Sequence, residues 1–292
     1  MRLVTFSEHG TRAFRAGALV NVDGNDVVVD LGGSDRALPR SMRSLLPTLD
    51  ENLQSLVDIV RCSPAKARLQ IANVTLGPVV PDPEKIICIG LNYRDHAKET
   101  NLPLPEVPTV FAKYSNTLIG DGEAIVIPAA TCSVDYEAEL AFVIGRRAKE
   151  ISEQEAFDYV AGYTIFNDVS ARDYQLRTSQ WTLGKSFDTF GPIGPALVTK
   201  DEVPDPQALG IRLRIGDELL QNSNTGNMVF SVAALVAHLS TAMTLEPGDI
   251  VATGTPAGVG FTRKPPRFLR AGETVQVEID RLGVLQNPVR LG

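Results

Sequence analysis

Along this chain the apolar residues gather in short runs broken by Gly, Pro, Asn and Asp, a pattern of strands with a few helices between them. Val20-Asn21-Val22 and Val27-Val28-Val29 flank Asp23-Gly24, which predicts a hairpin. From Ser41 to Val60, Leu45, Leu46, Leu49, Leu53, Leu56 and Val57 recur at three- and four-residue spacing, predicting helices interrupted near Pro47. Leu76-Gly77-Pro78-Val79-Val80-Pro81-Asp82-Pro83 is the best boundary in the chain. The expected division is a small β-rich unit over 1–79 and a larger unit over 80–292.

Within the larger unit, Lys85 to Gly90 reads as a short buried strand. Asn92 to Asn101 reads as a helix stopped by Pro103 and Pro105. Ser231 is a candidate N-cap for a helix carrying Val232, Leu235, Val236, Leu239 and Met243. Strands are expected over 249–254 and 274–279, the latter alternating cleanly. The fold class is α+β and mostly β.

One strand carries charges where the pattern demands burial. Glu137-Ala138-Glu139 opens the apolar stretch Leu140-Ala141-Phe142-Val143-Ile144, and alternation puts both carboxylates on one face. Two buried anions repel each other and lose hydration, a conflict that a hard divalent cation removes. A third carboxylate, Asp168, ends the apolar run Ala161 to Phe166. Between the two runs, Ser152-Glu153-Gln154-Glu155 is a capping box ahead of Ala156 to Val160. A strand, a short helix and a strand arranged as a crossover would bring Asp168 beside the Glu pair. Taken alone, a Glu-x-Glu pair also suits the solvated face of an exposed strand.

Composition narrows the function classes. The chain has 292 residues, 43% hydrophobic and 22% charged, with a net charge of −7. No Lys/Arg-rich stripe offers a footprint for nucleic acid or an anionic membrane surface. No apolar run approaches the roughly 20 residues of a membrane span. The first residues lack a signal peptide's apolar core, and Cys62, Cys88 and Cys132 are odd in number and scattered. A cytoplasmic protein is expected on these grounds.

Further candidates for chemistry lie in three segments. His96 and Glu99, three apart on a helix, share a face, so that the carboxylate can orient the imidazole as a general base. The same spacing also fits an ordinary surface contact. Lys185, in Leu183-Gly184-Lys185-Ser186-Phe187, can place a cation against an anionic ligand or lie on the surface along its own aliphatic stem. It is not a phosphate-loop lysine, because Ser179 stands where that motif requires Gly. Thr253-Gly254-Thr255-Pro256-Ala257-Gly258 follows a strand and suits either a substrate loop or a tight turn.

Five segments together resemble the fumarylacetoacetate hydrolase family, in the family's order over roughly 80–290. They are Ile89 to Glu99, Asp135 to Leu140, Asn167 to Asp173, Gly184 to Asp188, and Thr253 to Gly258. The resemblance implies a mixed β-roll of packed sheets, usually dimeric, with Mg2+ or Mn2+ on Glu137, Glu139 and Asp168. It implies His96 and Glu99 as a water-activating pair, Lys185 as the active-site lysine, and Gln175 and Thr255 as substrate contacts. Ile89 departs from the eponymous hydrolase, which has a further metal carboxylate seven residues before its histidine. That favours an acylpyruvase-like branch, and with it hydrolytic carbon–carbon cleavage of a 2,4-dioxo acid or a diketo-deoxy sugar acid to give pyruvate. Oxaloacetate decarboxylation and hydroxymuconate-type isomerisation are the alternatives on the same site, and a small 2-oxo or 2,4-dioxo acid is the expected partner.

Overall fold

The computed structural model describes residues 1–292 except Gly10 and Arg12. The strand Ala138–Ile144 lies deep in a twelve-stranded sheet, between Val160–Asn167 on one side and Ile250–Ala252 on the other. Both of these neighbours run antiparallel to it. Every residue of Ala138–Ile144 and of Val160–Asn167 is buried, because both faces of the sheet are covered. Leu140, Phe142 and Ile144 face a core shared with the helix Val232–Ala242 and with a second, five-stranded sheet. Ala141 and Val143 face the opposite core, which is completed by Leu45, Leu49 and Leu56 of the N-terminal helices. The N-terminal strands Arg2–Glu8, Arg15–Val22 and Asn25–Asp30 extend the large sheet, with Arg2–Glu8 hydrogen-bonded to Gly191–Thr199. The fold is mostly β with several packed sheets.

The local expectations mostly match. The hairpin turns at Asp23-Gly24, Ser231 caps its helix, and Pro47 lies in a 3-10 turn between the helices Met42–Leu45 and Leu49–Arg61. The crossover is corrected. Ser152 and Glu155 do hydrogen-bond, but only a single 3-10 turn, Ala156–Asp158, follows before the chain enters its next strand. With so short a connection the strands pair antiparallel, Glu139 opposite Phe166 and Ala138 opposite Asn167. That register brings the end of one strand to the start of the other, so Asp168 N–H donates to Glu137 O at 2.9 Å. Among the described residues, no helix is long and apolar enough to cross a membrane.

Candidate active site

Glu137, Glu139 and Asp168 each offer one carboxylate oxygen, and these oxygens lie within 4.8 Å of one another. All three residues are buried. Glu137 is locked on its backbone by Asn167, whose side-chain oxygen accepts from Glu137 N–H at 3.0 Å. Asp168 Oδ1 accepts from Lys113 Nζ at 2.6 Å and Oδ2 from Lys185 Nζ at 2.8 Å. Lys185 also reaches Glu137 Oε2 at 2.7 Å. It is therefore a buried cation between two carboxylates and not a surface lysine. On the far side, Arg172 Nη2 approaches Glu137 Oε1 at 2.7 Å without hydrogen-bond alignment, and its Nε donates to Asp135 Oδ2 at 2.8 Å.

The charges explain what the cluster lacks. Lys113, Lys185 and Arg172 face Asp135, Glu137, Glu139 and Asp168, so one negative charge is left over. Burial disfavours ionisation of Glu137, but Lys185 and Arg172 outweigh it and hold that carboxyl down to about 2. Burial also works against the charged form of Lys185, and the Asp168 and Glu137 charges reverse it, holding the ammonium above its usual range. The surplus falls on Glu139. Burial, then Asp168 and Glu137, push its carboxyl well above the carboxylate range, against the opposing Lys185 charge and one backbone donor, Gly254 N–H at 2.9 Å. Three hard oxygen donors with one uncompensated charge, and no nitrogen or sulfur among them, fit a divalent cation.

His96 stands over the same cavity at the start of the helix Arg94–Thr100. Its Nδ1 lies 3.0 Å from Glu99 Oε2. Glu99 Oε1 in turn accepts from Gly258 N–H and Thr262 Oγ1, both at 2.9 Å. Burial alone would raise the Glu99 carboxyl, but the His96, Gly258 and Thr262 hydrogen bonds bring it below its usual value. An ionised Glu99 assigns the ring proton to Nδ1 and leaves Nε2 as the free base. The Gly-rich loop therefore orients both groups at once, through Gly254 on Glu139 and Gly258 on Glu99. Gly254 and Gly258 have φ of +98° and +106°, and a Cβ on Gly258 would lie 2.1 Å from Leu220 O, so that conformation requires glycine.

Gln175 and Thr255 also line the cavity. Gln175 Oε1 accepts from Arg172 Nη1 at 2.8 Å, which leaves its NH2 to donate to a ligand. Thr255 Oγ1 accepts from Gln221 Nε2 at 2.8 Å, which leaves its hydroxyl proton to donate. Six of the eight residues singled out from sequence line this cavity, while Glu99 backs His96 and Asp168 backs Lys185. Sequence reasoning missed Lys113, Asp135 and Arg172. The latter two lie inside segments read for other residues. Lys113 ends the strand Thr109–Lys113, and a lone lysine closing an apolar strand was the only signal. The cavity holds about 120 Å3. Its outer walls are apolar, formed by Leu91, Phe111, Trp181 and Phe261 among others.

The chain is 48% identical over 291 residues to the mitochondrial oxaloacetate tautomerase of Xenopus laevis, covering 99% of this chain and 90% of that protein. It is 45% identical over 267 residues to a mitochondrial oxaloacetate tautomerase of Homo sapiens, covering 90% and 83%. A maleylpyruvate hydrolase from Sphingobium, solved with manganese(II) and pyruvate, superposes with a TM-score of 0.82 over the full length of both chains at 30% identity. The mitochondrial names of these relatives overturn the cytoplasmic location expected above. Scattered free thiols argue only against a disulfide framework, and cannot choose among reducing compartments. The model of the fumarylacetoacetate (FAA) hydrolase C-terminal domain matches residues 85–290, and the chain belongs to the fumarylacetoacetate hydrolase family of enzymes.

Proposed function

We propose that this enzyme interconverts the enol and keto forms of oxaloacetate or a closely similar short 2-oxo diacid. The observation that carries the reading is the His96–Glu99 pair set over a carboxylate cluster in a cavity of about 120 Å3. That volume is well below the roughly 300–1,000 Å3 of drug-sized sites and suits a small metabolite. The resemblance to relatives named oxaloacetate tautomerases supports the same substrate class.

Glu137, Glu139 and Asp168 would hold Mg2+ or Mn2+, which when bound supplies a Lewis acid for the carboxylate and 2-oxo group of the substrate. The remaining work falls to the chain's own side chains. Tautomerisation moves one proton between the enol oxygen and C3, with no net change in atoms. His96 Nε2 carries that proton, since Glu99 fixes the Nδ1–H tautomer and steadies the imidazolium formed in passing. Lys185 sets a buried positive charge beside the oxygen on which negative charge develops. The Gln175 NH2 and the Thr255 hydroxyl donate to the substrate's oxygens, and the apolar walls keep bulk water from the proton in transit.

A second reading, hydrolysis of a small 2,4-dioxo acid, is favoured by the likeness to the manganese- and pyruvate-bound maleylpyruvate hydrolase. In it His96 would take its proton from water. One assay separates the two. The ultraviolet enol band of oxaloacetate is followed in EDTA and then with Mg2+ or Mn2+, with pyruvate measured in parallel, and acetylpyruvate is run alongside. Metal-dependent loss of the enol band without pyruvate is expected. Pyruvate released from acetylpyruvate, with no acceleration of oxaloacetate ketonisation, would replace the tautomerase by the hydrolase.

A further inference from the structure

The cavity wall has one unusually well-fixed member. Trp181 begins the turn Thr182–Lys185, which also delivers Lys185, so its indole lies close to the charged cluster. Its ring is seated on Gly90, where a Cβ would come within 2.4 Å of Cζ3 and 2.9 Å of Cη2. Phe111 braces it edge-on, with ring centroids 5.4 Å apart and planes at 72°. Phe111 is itself 5.2 Å from Lys185 Nζ. Other apolar members of the wall are far looser. Leu102 is 50% exposed and Leu176 is 67% exposed. Leucines so exposed are held by few neighbours, whereas the half-buried indole is backed by a main chain and by a second aromatic ring.

We propose that Trp181 sets the length of 2-oxo acid the cavity accepts, admitting short acids and excluding longer alkyl or acyl chains. The inference deepens the reading of the site as one for a small 2-oxo acid and rests on it. The physical argument is one of volume and rigidity. A space of about 120 Å3 is largely filled by the atoms that meet the carboxylates and His96, and a longer chain that runs toward Trp181 must displace it. Where the wall is a braced indole, the penalty appears as lost affinity, on the scale of roughly tenfold or more per misfit group.

The chain has a single tryptophan, so its own emission reports on this wall. Titrating the Mg2+-supplemented enzyme with pyruvate should change that emission saturably, with the affinity that calorimetry gives. Calorimetric binding without any change in emission would overturn the placement of Trp181 against the ligand. The decisive series is calorimetry with straight-chain 2-oxo acids from pyruvate to 2-oxooctanoate on the wild type, Trp181→Leu and Trp181→Ala. Affinity should fall by at least about tenfold along the series in the wild type, and each variant should recover most of that loss. Leucine keeps an apolar side chain against Gly90, so Trp181→Leu gives the answer if the alanine variant fails to fold. Identical length profiles in the wild type and the folded leucine variant would overturn the proposal. Wild type that binds no 2-oxo acid would overturn both it and the site reading beneath it. The tautomerase reading is judged separately on wild-type oxaloacetate. Relaxed length selection with no ketonisation would retain the role of Trp181 and reject the tautomerase, and the converse result would do the opposite.

Discussion

Two groups of ion pairs in this molecule use the same residue types and do opposite things. In the N-terminal sheet, Arg15 bridges Glu8 and Asp30 at 2.7 Å each, yet the Glu8 side chain is 61% exposed. At the carboxylate cluster, Lys113, Lys185 and Arg172 meet Asp168, Glu137 and Asp135 at 2.6–2.8 Å with almost no exposure. Water screens the first group, so forming or losing it changes little. Charges in the second have almost no solvent to fall back on, and are satisfied by one another and by a few backbone groups. A surplus of charge is harmless on the surface. In the interior it must be neutralised or bound, which is why the surplus on Glu139 reads as chemistry.

The sharpest way to break this comparison is at the surplus itself. Glu139→Gln should weaken Mn2+ binding in calorimetry by more than the roughly 10–100-fold lost when a ligand's own hydrogen-bond partner is removed. Metal-dependent turnover should disappear with it. Retained metal affinity would show that Glu139 is not a ligand of the ion. His96→Ala should keep metal binding while turnover falls by roughly 100- to 10,000-fold, the range for loss of a positioned acid–base group. Loss of metal binding together with turnover would instead make His96 a structural member of the cluster.

Stability offers the direct contrast between the two regions. Lys113→Met leaves Asp168 without one of its two cations, and denaturant unfolding should show a loss of about 3–5 kcal/mol, as for other broken buried pairs. Glu8→Gln in the N-terminal sheet should cost less than about 1 kcal/mol. Equal losses would mean that burial does not separate these two groups. The smallest expected effect lies at Glu99, which is held below its ordinary value in the fold. Because the folded state binds that proton less readily, Glu99 contributes stability that is complete above the ordinary value near 4.5. The contribution is lost as pH falls through the lowered value. Glu99→Gln should flatten stability over that acid window, and an unchanged acid profile would remove the His96–Glu99 contact from the account.

Much of the site was legible because its residues are anomalous where they stand. Two glutamates opening an apolar strand contradict the pattern around them, and Asp168 ends a second such strand. Those contradictions survive in the sequence whatever the connection between the strands. The connection itself was misread as a crossover, since a capping box specifies a helix start but not how far the helix runs. Arg172 and Lys113 stayed hidden for another reason. A lone arginine or lysine near the end of an apolar segment is ordinary in sequence, and only the pairing of distant strands shows which anion it meets.

The sequence by itself determined the strands, the caps, the helix that carries His96 and the anomalous carboxylates, because propensity, periodicity and capping act over a few residues. Tertiary structure alone decided that three cations would face four carboxylates, that Gly258 would orient Glu99, and that Trp181 would close the cavity over Gly90. Each of those contacts joins segments tens of residues apart. Their energies depend on burial and register, which no local pattern encodes.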